Sequence, residues 1–287
     1  MSSEILSKPA PDQSRRADTP AIGPKNATVE IVVINLPRAT ERRQKIEAMF
    51  QGTGLAWTYF DAHTSLKHPT LRYDLGEIKR LFGRTLSNPE IAVCSSHVAI
   101  LSDFLERGST DYVLVLEDDV IFDTDFPLDE FSSFCLANGM DYVRLFGKHY
   151  ADAIRLGFFF DRSIVRYTTS PAGAQAYLMS KAGARKFLES YRLIDATVDL
   201  AMDKFWVTQL PIYSIFPYPI IERYSPTSIP MQPPMKELSG LETLIRLSNR
   251  VLEKVRKTAG NLALRGSDRD MQRKSLRFKQ IFDTNAK

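Results

Sequence analysis

Three consecutive acidic residues after an apolar run are the strongest sign of chemistry in this chain. The run spans residues 112–116, and the acids are Glu117, Asp118 and Asp119. A buried strand with carboxylates at its C-terminal end can hold a hard cation, because Mg²⁺ and Mn²⁺ prefer oxygen ligands and are commonly bound by one or two carboxylates plus substrate phosphates. Ligands of open α/β sheets also bind at this end of the strands. The pattern predicts a site for Mn²⁺ or Mg²⁺ and a diphosphate, and the alternative is a polar turn that closes the strand.

Strands and helices alternate around this motif for about 200 residues, which is typical of an α/β sheet built from βα units. The apolar and turn patterns predict strands at 29–36, 57–60, 112–116, 141–146, 175–179 and 211–218, and helices at 40–51, 75–82, 89–107, 129–138, 181–191 and 198–206. Segment 152–170 mixes aromatic and polar residues and shows no clear period.

The composition is that of a soluble globular protein. The 287 residues are 44% hydrophobic and 25% charged, and no apolar run approaches the length of about 18 residues that a transmembrane helix needs. The N-terminus lacks the apolar segment of a secretory signal, so we expect a cytoplasmic protein. Cys94 and Cys135 lie among apolar residues and are expected to be buried as small hydrophobic side chains. We predict a disordered arm at 1–28, a catalytic domain at 29–230 and a basic helical extension at 231–287.

The C-terminal extension carries most of the positive charge. Residues 236–287 contain 13 Lys and Arg against 6 Asp and Glu, a net charge of +7 in a chain whose total is +4. Apolar residues recur at helical spacing from a predicted cap at Ser239, and we expect the helix to fray after Gly266. This amphipathic helix either packs on the domain or lies on an anionic membrane surface. Aromatic residues are sparse in it, so a nucleic-acid partner is not expected.

Five short segments between residues 29 and 223 form an ordered set of motifs. They are Ile34-Asn35-Leu36 with Glu41-Arg42-Arg43, Glu90-Ile91-Ala92-Val93 with Ser96-His97, Leu116-Glu117-Asp118-Asp119-Val120, Ala176-Tyr177-Leu178-Met179-Ser180 with Gly183-Ala184, and Val198-Asp199. In order and spacing they resemble glycosyltransferase family 25, which includes lipooligosaccharide glycosyltransferases. The third segment matches the family's L-E-D-D-V motif without change. The chain departs from the family where Pro89, Ala92 and Ala176 replace glycines.

The resemblance implies a GT-A-type fold, in which a nucleotide-binding α/β sheet carries acceptor-binding elements toward its C-terminus. It also implies transfer of a sugar, often galactose, from a UDP-sugar to a lipopolysaccharide-type saccharide or glycolipid. The alternative, which the changed glycines allow, is a noncatalytic binder of saccharides or nucleotide sugars. A nucleotidyl- or phosphotransferase has less support, because the chain lacks the glycine-rich phosphate-binding loop of such enzymes.

The three acids of the third segment are the candidate metal ligands. Asp119 is the expected main ligand, and Glu117 or Asp118 contributes directly or through water. Glu117 and Asp119 share a face if strand geometry continues through them. Asp118 then contacts the ribose or the sugar of the donor. Further donor contacts are expected from residues of the first two motifs, which are Asn35, Leu36, Arg42, Arg43, Glu90, Ser96 and His97.

An inverting transfer needs a general base for the acceptor hydroxyl, and a carboxylate is the usual group. Asp199 is the candidate, and Asp203, one helical turn further on, is its substitute. The structural alternative for Asp199 is a helix N-cap, because aspartate is common at helix starts.

Overall fold

The computed structural model describes residues 26–82, 85–223 and 240–285. Within these ranges ten strands are present: β1 (Val29–Asn35), β2 (Trp57–Asp61), β3 (Tyr112–Glu117), β4 (Val120–Phe122), β5 (Tyr142–Arg144), β6 (Ala153–Phe159), β7 (Arg162–Tyr167), β8 (Ala176–Ser180), β9 (Tyr213–Phe216) and β10 (Ile220–Glu222). The same ranges contain eight helices: α1 (Thr40–Phe50), α2 (Leu75–Phe82), α3 (Asn88–Arg107), α4 (Leu128–Ala137), α5 (Lys181–Ser190), α6 (Val198–Met202), α7 (Phe205–Thr208) and α8 (Gly240–Asn285).

Eight of the strands form one mixed sheet in the order β2-β1-β3-β8-β5-β9-β7-β6, and β4 and β10 form a separate antiparallel pair. β1 is parallel to β2 and β3, and β5 is parallel to β9. β8 runs antiparallel to both β3 and β5, and β7 runs antiparallel to β6 and β9. The predicted α/β class with flanking helices is confirmed, but the sheet is not built from βα units alone.

The directions of the strands bring many chain segments to one edge of the sheet. β1, β3, β5, β9 and β6 end at this edge, whereas β8 and β7 begin there. Asn35 and Glu117 lie at the ends of their strands, and Arg144 ends β5. This edge therefore collects the polar side chains from which a site can be built.

β3 is a long buried strand that leads to this edge. Its side chains alternate between two apolar layers: Val113 and Val115 pack with α3 and α5, and Leu114 and Leu116 pack with α1 and α4. A strand covered on both faces needs a continuous apolar run, which explains why this segment lacks the polar alternation of a half-exposed strand.

Two parts of the sheets and one helix differ from the predictions. The segment with no clear period, 152–170, contains the β6–β7 hairpin. These are the last two strands in the order of the sheet, and their partly exposed faces explain the mixed composition. β4 and β10 are too short for a pattern to reveal them, at three residues each. The helix predicted at 198–206 is divided into α6 and α7 around Asp203 and Lys204.

The C-terminal helix packs on the domain through both of its halves, since Glu253 lies 3.4 Å from Lys204 and Asp268 pairs with Arg166. α8 contacts β6, α2 and α7, and Arg166 on β7 makes a buried, bidentate ion pair with Asp268, with both N–O distances at 2.7 Å. The prediction that the helix frays after Gly266 is wrong, because this ion pair and the adjacent packing hold the helix beyond that glycine.

The ends of the predicted domains are only partly described. Residues 1–25 of the predicted disordered arm and the predicted cap at Ser239 lie outside the described residues. The division at residues 28 and 230 stays a prediction. Among the described helices, none combines the length and apolar character needed to cross a bilayer.

Candidate active site

The three acids lie where β3 gives way to β4. β3 continues to Glu117 and then ends, and Asp118 and Asp119 form the turn that leads into β4. The strand geometry assumed for a shared face of Glu117 and Asp119 therefore does not extend to Asp119. The turn, rather than strand alternation, determines where each carboxylate lies.

Asp118 is buried and held by two donors. The side-chain amide of Asn35 donates to Asp118 Oδ2 at 2.7 Å, and Arg42 Nη1 donates to Asp118 Oδ1 at 2.8 Å. Asn35 in turn accepts a hydrogen bond from Arg43 Nε at 3.1 Å. The structure thus brings four predicted donor-binding residues into one network, because β1 ends beside β3 and α1 begins directly above that end.

The carboxylate of Asp119 has fewer hydrogen bonds and a more distant positive charge than that of Asp118. Its Oδ2 lies 3.6 Å from Arg42 Nη1, and its buried Oδ1 has no hydrogen-bond partner. Burial and the neighbouring charge of Glu117 raise the pKa of Asp119, Arg42 opposes them, and the net pKa is about 7. A buried carboxylate with a free oxygen and too little positive charge around it is a position where a cation could bind.

His97 approaches the same cluster from α3. It is fully buried, its Nδ1 lies 3.0 Å from the Tyr177 hydroxyl, and its Nε2 lies 3.7 Å from Glu117 Oε1. That second distance is too long for a hydrogen bond, and Nε2 has no other hydrogen-bond partner. Two unsatisfied buried polar atoms, on His97 and on Asp119, therefore flank Glu117.

The remaining predicted donor-binding residues make local contacts elsewhere. Glu90 forms a capping box with Ser87 at the start of α3, accepting from the Ser87 backbone and hydroxyl at 2.7 and 2.8 Å. Ser96 accepts from the backbone of His63 and donates to Ala92. Leu36 is half-buried, and its carbonyl accepts the backbone N–H that closes the turn before α1.

Asp203 belongs to a second acidic group, built around Arg144. Arg144 Nε and Nη2 donate to Asp203 Oδ1 at 3.1 and 2.7 Å, and the Ser170 hydroxyl donates to Oδ2 at 2.5 Å. Both side chains of the ion pair are at most 1% exposed. Each oxygen of Asp203 is thus already engaged by a protein donor.

Asp199 lies in the first turn of α6, and the N-cap of that helix is Thr197. The backbone N–H of Gly173 donates to Asp199 Oδ2 at 2.8 Å. Burial raises the pKa of Asp199, but the hydrogen bonds from Thr197 and Gly173 and the charge of Arg144 outweigh it, so the net pKa lies below its ordinary value. Asp199 is therefore ionised at neutral pH.

Tyr177 and Arg144 belong to these two groups and were not among the predicted site residues. Tyr177 carries the hydroxyl that contacts His97, and its position in the fourth motif could have indicated it. Arg144 interrupts the apolar segment of β5, and a lone charge within a buried strand is the signal of a buried partner.

The described residues contain no group of three or more His, Cys, Asp or Glu side chains arranged to hold a metal ion. The predicted protein ligands for a cation at the end of β3 are two carboxylates, those of Glu117 and Asp119. Two carboxylates match the usual protein share of an Mg²⁺ or Mn²⁺ site that substrate phosphates complete.

Comparisons with known proteins agree with the motifs. The family model of glycosyltransferase family 25, described as an LPS biosynthesis protein, matches residues 28–205. The lacto-N-neotetraose biosynthesis glycosyltransferase LgtE of Neisseria gonorrhoeae is 27% identical over 209 residues, which cover 64% of this chain and 71% of that protein. LgtE of Neisseria meningitidis serogroup B is 28% identical over 207 residues, with the same coverage.

Two solved structures show weaker likenesses. A glycosyltransferase involved in glycosylation of the major capsid of PBCV-1 is 14% identical, with a TM-score of 0.30 over 56% of this chain and 65% of that one. A197 from STIV is 12% identical, with a TM-score of 0.37 over 71% of this chain and 98% of that one.

The family match covers more than half of the chain and includes β1, α3, β3 and β8, which carry the polar network at the sheet edge. The chain belongs to glycosyltransferase family 25, a family of lipopolysaccharide-biosynthesis proteins, and is a glycosyltransferase.

Proposed function

We propose that this glycosyltransferase moves a hexose, galactose, from a UDP-sugar to a lipopolysaccharide-type saccharide, with Mn²⁺ or Mg²⁺ bound by Glu117 and Asp119. The observation that carries the proposal is the buried Asp119 Oδ1, which lacks a partner beside a second carboxylate. The identity of the sugar and the nucleotide rests on the motif resemblance. The names of the relatives, which act in lacto-N-neotetraose biosynthesis, support a saccharide acceptor.

The residues at the end of β3 fit a divalent cation. A cation bound there would draw negative charge from the departing diphosphate. Asp118 holds the turn in place, because its two oxygens are tied to Asn35 and Arg42. This leaves Asp119 Oδ1 without a protein donor, and a carboxylate whose pKa is about 7 gains more from a nearby cation than one that is already ionised and paired.

The donor nucleotide is expected over the end of β1. Asn35 and Arg43 lie there with Arg42, and all three come from the first motif of the chain. Arg42 is partly exposed, so one face of its guanidinium can reach a phosphate while Nη1 stays on Asp118. We assign the diphosphate to Arg42 and Arg43. Asn35, predicted to hold the uracil or ribose, is 1% exposed and bonded to Asp118 and Arg43, so it positions these two residues instead.

The acceptor hydroxyl is assigned to Asp199 as general base in an inverting transfer. Asp199 is ionised at neutral pH, and hydrogen bonds from Thr197 and from the backbone N–H of Gly173 fix its position. Asp203 is the weaker candidate, because Arg144 and Ser170 already engage its two oxygens. We infer that Asp203 positions the segment that carries Asp199 through the ion pair with Arg144.

The test is release of UDP from UDP-galactose, with Mn²⁺, in the presence of a lipopolysaccharide-derived core oligosaccharide. Asp119→Asn should lower kcat about 100- to 1,000-fold, since a group that stabilises charge in the transition state is lost. Glu130→Gln, at an exposed acid on α4, is the matched control and should leave kcat unchanged. Mn²⁺ should also raise the melting temperature of the wild type but not of Asp119→Asn.

If Mn²⁺ does not change the melting temperature of the wild type, the metal site is rejected. UDP-sugar turnover that survives Asp119→Asn would reject the catalytic role of that carboxylate. If a panel of nucleotide sugars shows release of a nucleotide other than UDP, the proposed donor is wrong but the proposed site at the end of β3 stands.

We also propose that the first half of α8 lies on an anionic membrane surface on the cytoplasmic face of the inner membrane. Leu244, Leu247, Val251 and Val255 recur at helical spacing and are 56–63% exposed, and the exposed Arg250 and Lys254 lie among them. A helix with an exposed apolar stripe and flanking bases binds the boundary between headgroups and acyl chains.

Sedimentation with phosphatidylglycerol vesicles tests this surface, with phosphatidylcholine vesicles as the uncharged reference. The double variant Leu247→Glu/Val251→Glu should lower the bound fraction severalfold, because it places acids on the apolar stripe. Leu136→Glu, at an exposed leucine on α4, is the control. Equal binding by both variants would exclude α8 as the membrane contact.

A further inference from the structure

A cavity at the same edge of the sheet is not part of the donor site. It has a volume of about 250 Å³ and lies between the end of β4 and the turn of the β6–β7 hairpin. Its walls include Phe126, Phe159 and Phe160 together with Asp123, Asp161 and Arg162. Asp123 follows Asp119 by four residues, so their Cα atoms are at most about 15 Å apart. The cavity therefore lies within the length of a short oligosaccharide from the proposed site at the end of β3.

One wall of the cavity is held rigidly by Arg162. Its Nη2 donates to Asp123 Oδ2 at 2.9 Å, and its Nη1 donates to the Pro217 carbonyl at 3.4 Å. The guanidinium also lies over the ring of Phe126, 5.2 Å from the ring centre. These contacts join the β4 end to the hairpin, so the wall is formed before any ligand binds.

The hairpin turn of the cavity carries an aromatic ring in an unfavourable position. Phe160 occupies the hairpin turn with a φ of 50° and is 72% exposed. Glycine and asparagine are the usual residues at such φ values, and a bulky exposed side chain there is costly both in backbone conformation and in contact with water. Phe159, buried beneath it, packs edge-to-face at 4.7 Å between ring centres. An exposed ring kept in this conformation indicates a binding surface.

The charge of the cavity indicates the class of ligand. Three aspartates, Asp123, Asp125 and Asp161, face one arginine, Arg162. An excess of carboxylates disfavours a diphosphate or a lipid phosphate, whereas sugar hydroxyls donate hydrogen bonds to carboxylates. Pockets that combine aromatic walls with a few placed polar groups are the usual form of small-ligand sites.

We propose that this cavity is a subsite for an uncharged hexose unit of the acceptor saccharide, with Phe160 as the platform on which the sugar ring stacks. The inference rests on the proposed function, since it extends the acceptor side of that same site. The cavity would hold a unit remote from the reacting hydroxyl, so it contributes to acceptor binding and specificity and leaves the chemistry at Asp119 unchanged.

The experiment compares Phe160→Ala with Phe158→Ala, a phenylalanine of the same hairpin that is 49% exposed and lies outside the cavity lining. The acceptor is a core oligosaccharide released from lipopolysaccharide by mild acid. Phe160→Ala should raise the KM for this acceptor roughly tenfold, the effect of losing one buried aromatic contact, and leave kcat and the KM for UDP-galactose unchanged. Phe158→Ala should match the wild type. Saturation-transfer NMR measures binding of the same oligosaccharide without turnover.

The outcomes separate this inference from the proposed function. Transfer by the wild type with equal acceptor KM values in the two variants would overturn the subsite, while the proposed function would stand. Oligosaccharide binding that Phe160→Ala abolishes, in a wild type without transfer activity, would support the subsite and reject the proposed function. No NMR signal from the oligosaccharide with the wild type would also overturn the subsite. Phe160→Gly, which suits the positive φ, should show the same KM change in a hairpin relieved of strain.

Discussion

Two acidic groups at one edge of the sheet are balanced in opposite ways. At the end of β3, Glu117, Asp118 and Asp119 share Arg42, and burial raises the pKa of Asp119 to about 7. Around Arg144, by contrast, hydrogen bonds and the positive charge outweigh burial and lower the pKa of Asp199. The group at the end of β3 has too little positive charge to offset its carboxylates, whereas the group around Arg144 has enough. The difference separates a site that can accept a cation from a group that holds the fold and positions a base.

The largest effect on the free energy of unfolding is expected when the ion pair of Arg144 and Asp203 is broken. Arg144→Met should lower the free energy of unfolding by about 3–5 kcal/mol, because Asp203 would stay buried without its partner. Replacing both residues, as Arg144→Met/Asp203→Leu, should recover part of this loss. Urea denaturation measures both variants, and Arg185→Met, at an exposed arginine on α5, is the control. A loss below about 1 kcal/mol for Arg144→Met would mean that the ion pair is not the support inferred here.

In metal-free protein, Asp119→Asn at the end of β3 is expected to increase folding stability, by less than Arg144→Met lowers it. The carboxyl of Asp119 ionises near pH 4 in the unfolded chain and near pH 7 in the fold, so its contribution to stability is present below about pH 4 and is lost as the pH rises to about 7. Asp119→Asn removes the ionisable group, so the variant does not lose this stability as the pH rises. The variant should be more stable than the wild type at pH 8, on the order of 1–2 kcal/mol, and this advantage should shrink toward pH 5.

Melting temperatures in EDTA at pH 5 and pH 8 test this pH dependence. A variant that is destabilised equally at both pH values would show that Asp119 is satisfied in the folded protein and needs no cation. Excess Mn²⁺ at pH 8 should reverse the order of the two proteins, since only the wild type can bind the ion there.

The smallest effect is expected at Glu90, which lies apart from both groups. Glu90→Ala should lower the free energy of unfolding by about 1 kcal/mol through loss of the capping box with Ser87. The KM for the donor should stay within about twofold, because the Glu90 carboxylate is bonded at the start of α3. A donor KM raised more than about tenfold would restore the donor-binding role that the motif resemblance predicted.

Local patterns predicted the elements that surround the site. The run of β3, the capped start of α3 and the Ser180 cap of α5 all carry signals within a few residues, and each element is found within one residue of its predicted start. Buried free Cys94 and Cys135 are also confirmed. β4, β10 and the β6–β7 hairpin were missed, because short or half-exposed strands have no long period and depend on their pairing partners.

The candidate site was predicted in part. Residues of the first and third motifs meet, since two parallel strands that end together bring Asn35 and Asp118 within hydrogen-bond distance. Ser96 and Glu90 do not join them, because motif membership does not say which way a helical side chain points. Arg144 could not be assigned its carboxylate partner from the sequence, as Asp203 lies 59 positions away.

By itself the amino-acid sequence determined the class of chemistry: a buried apolar strand followed by three acids, within an ordered set of family motifs. Local composition was sufficient for this, because strand and helix signals and acid clusters are properties of neighbouring residues. Only the tertiary structure decided which carboxylates are neutralised, since charge balance depends on residues distant in sequence. Arg42 reaches the end of β3, and Arg144 reaches Asp203, only after the sheet has brought these segments to one edge.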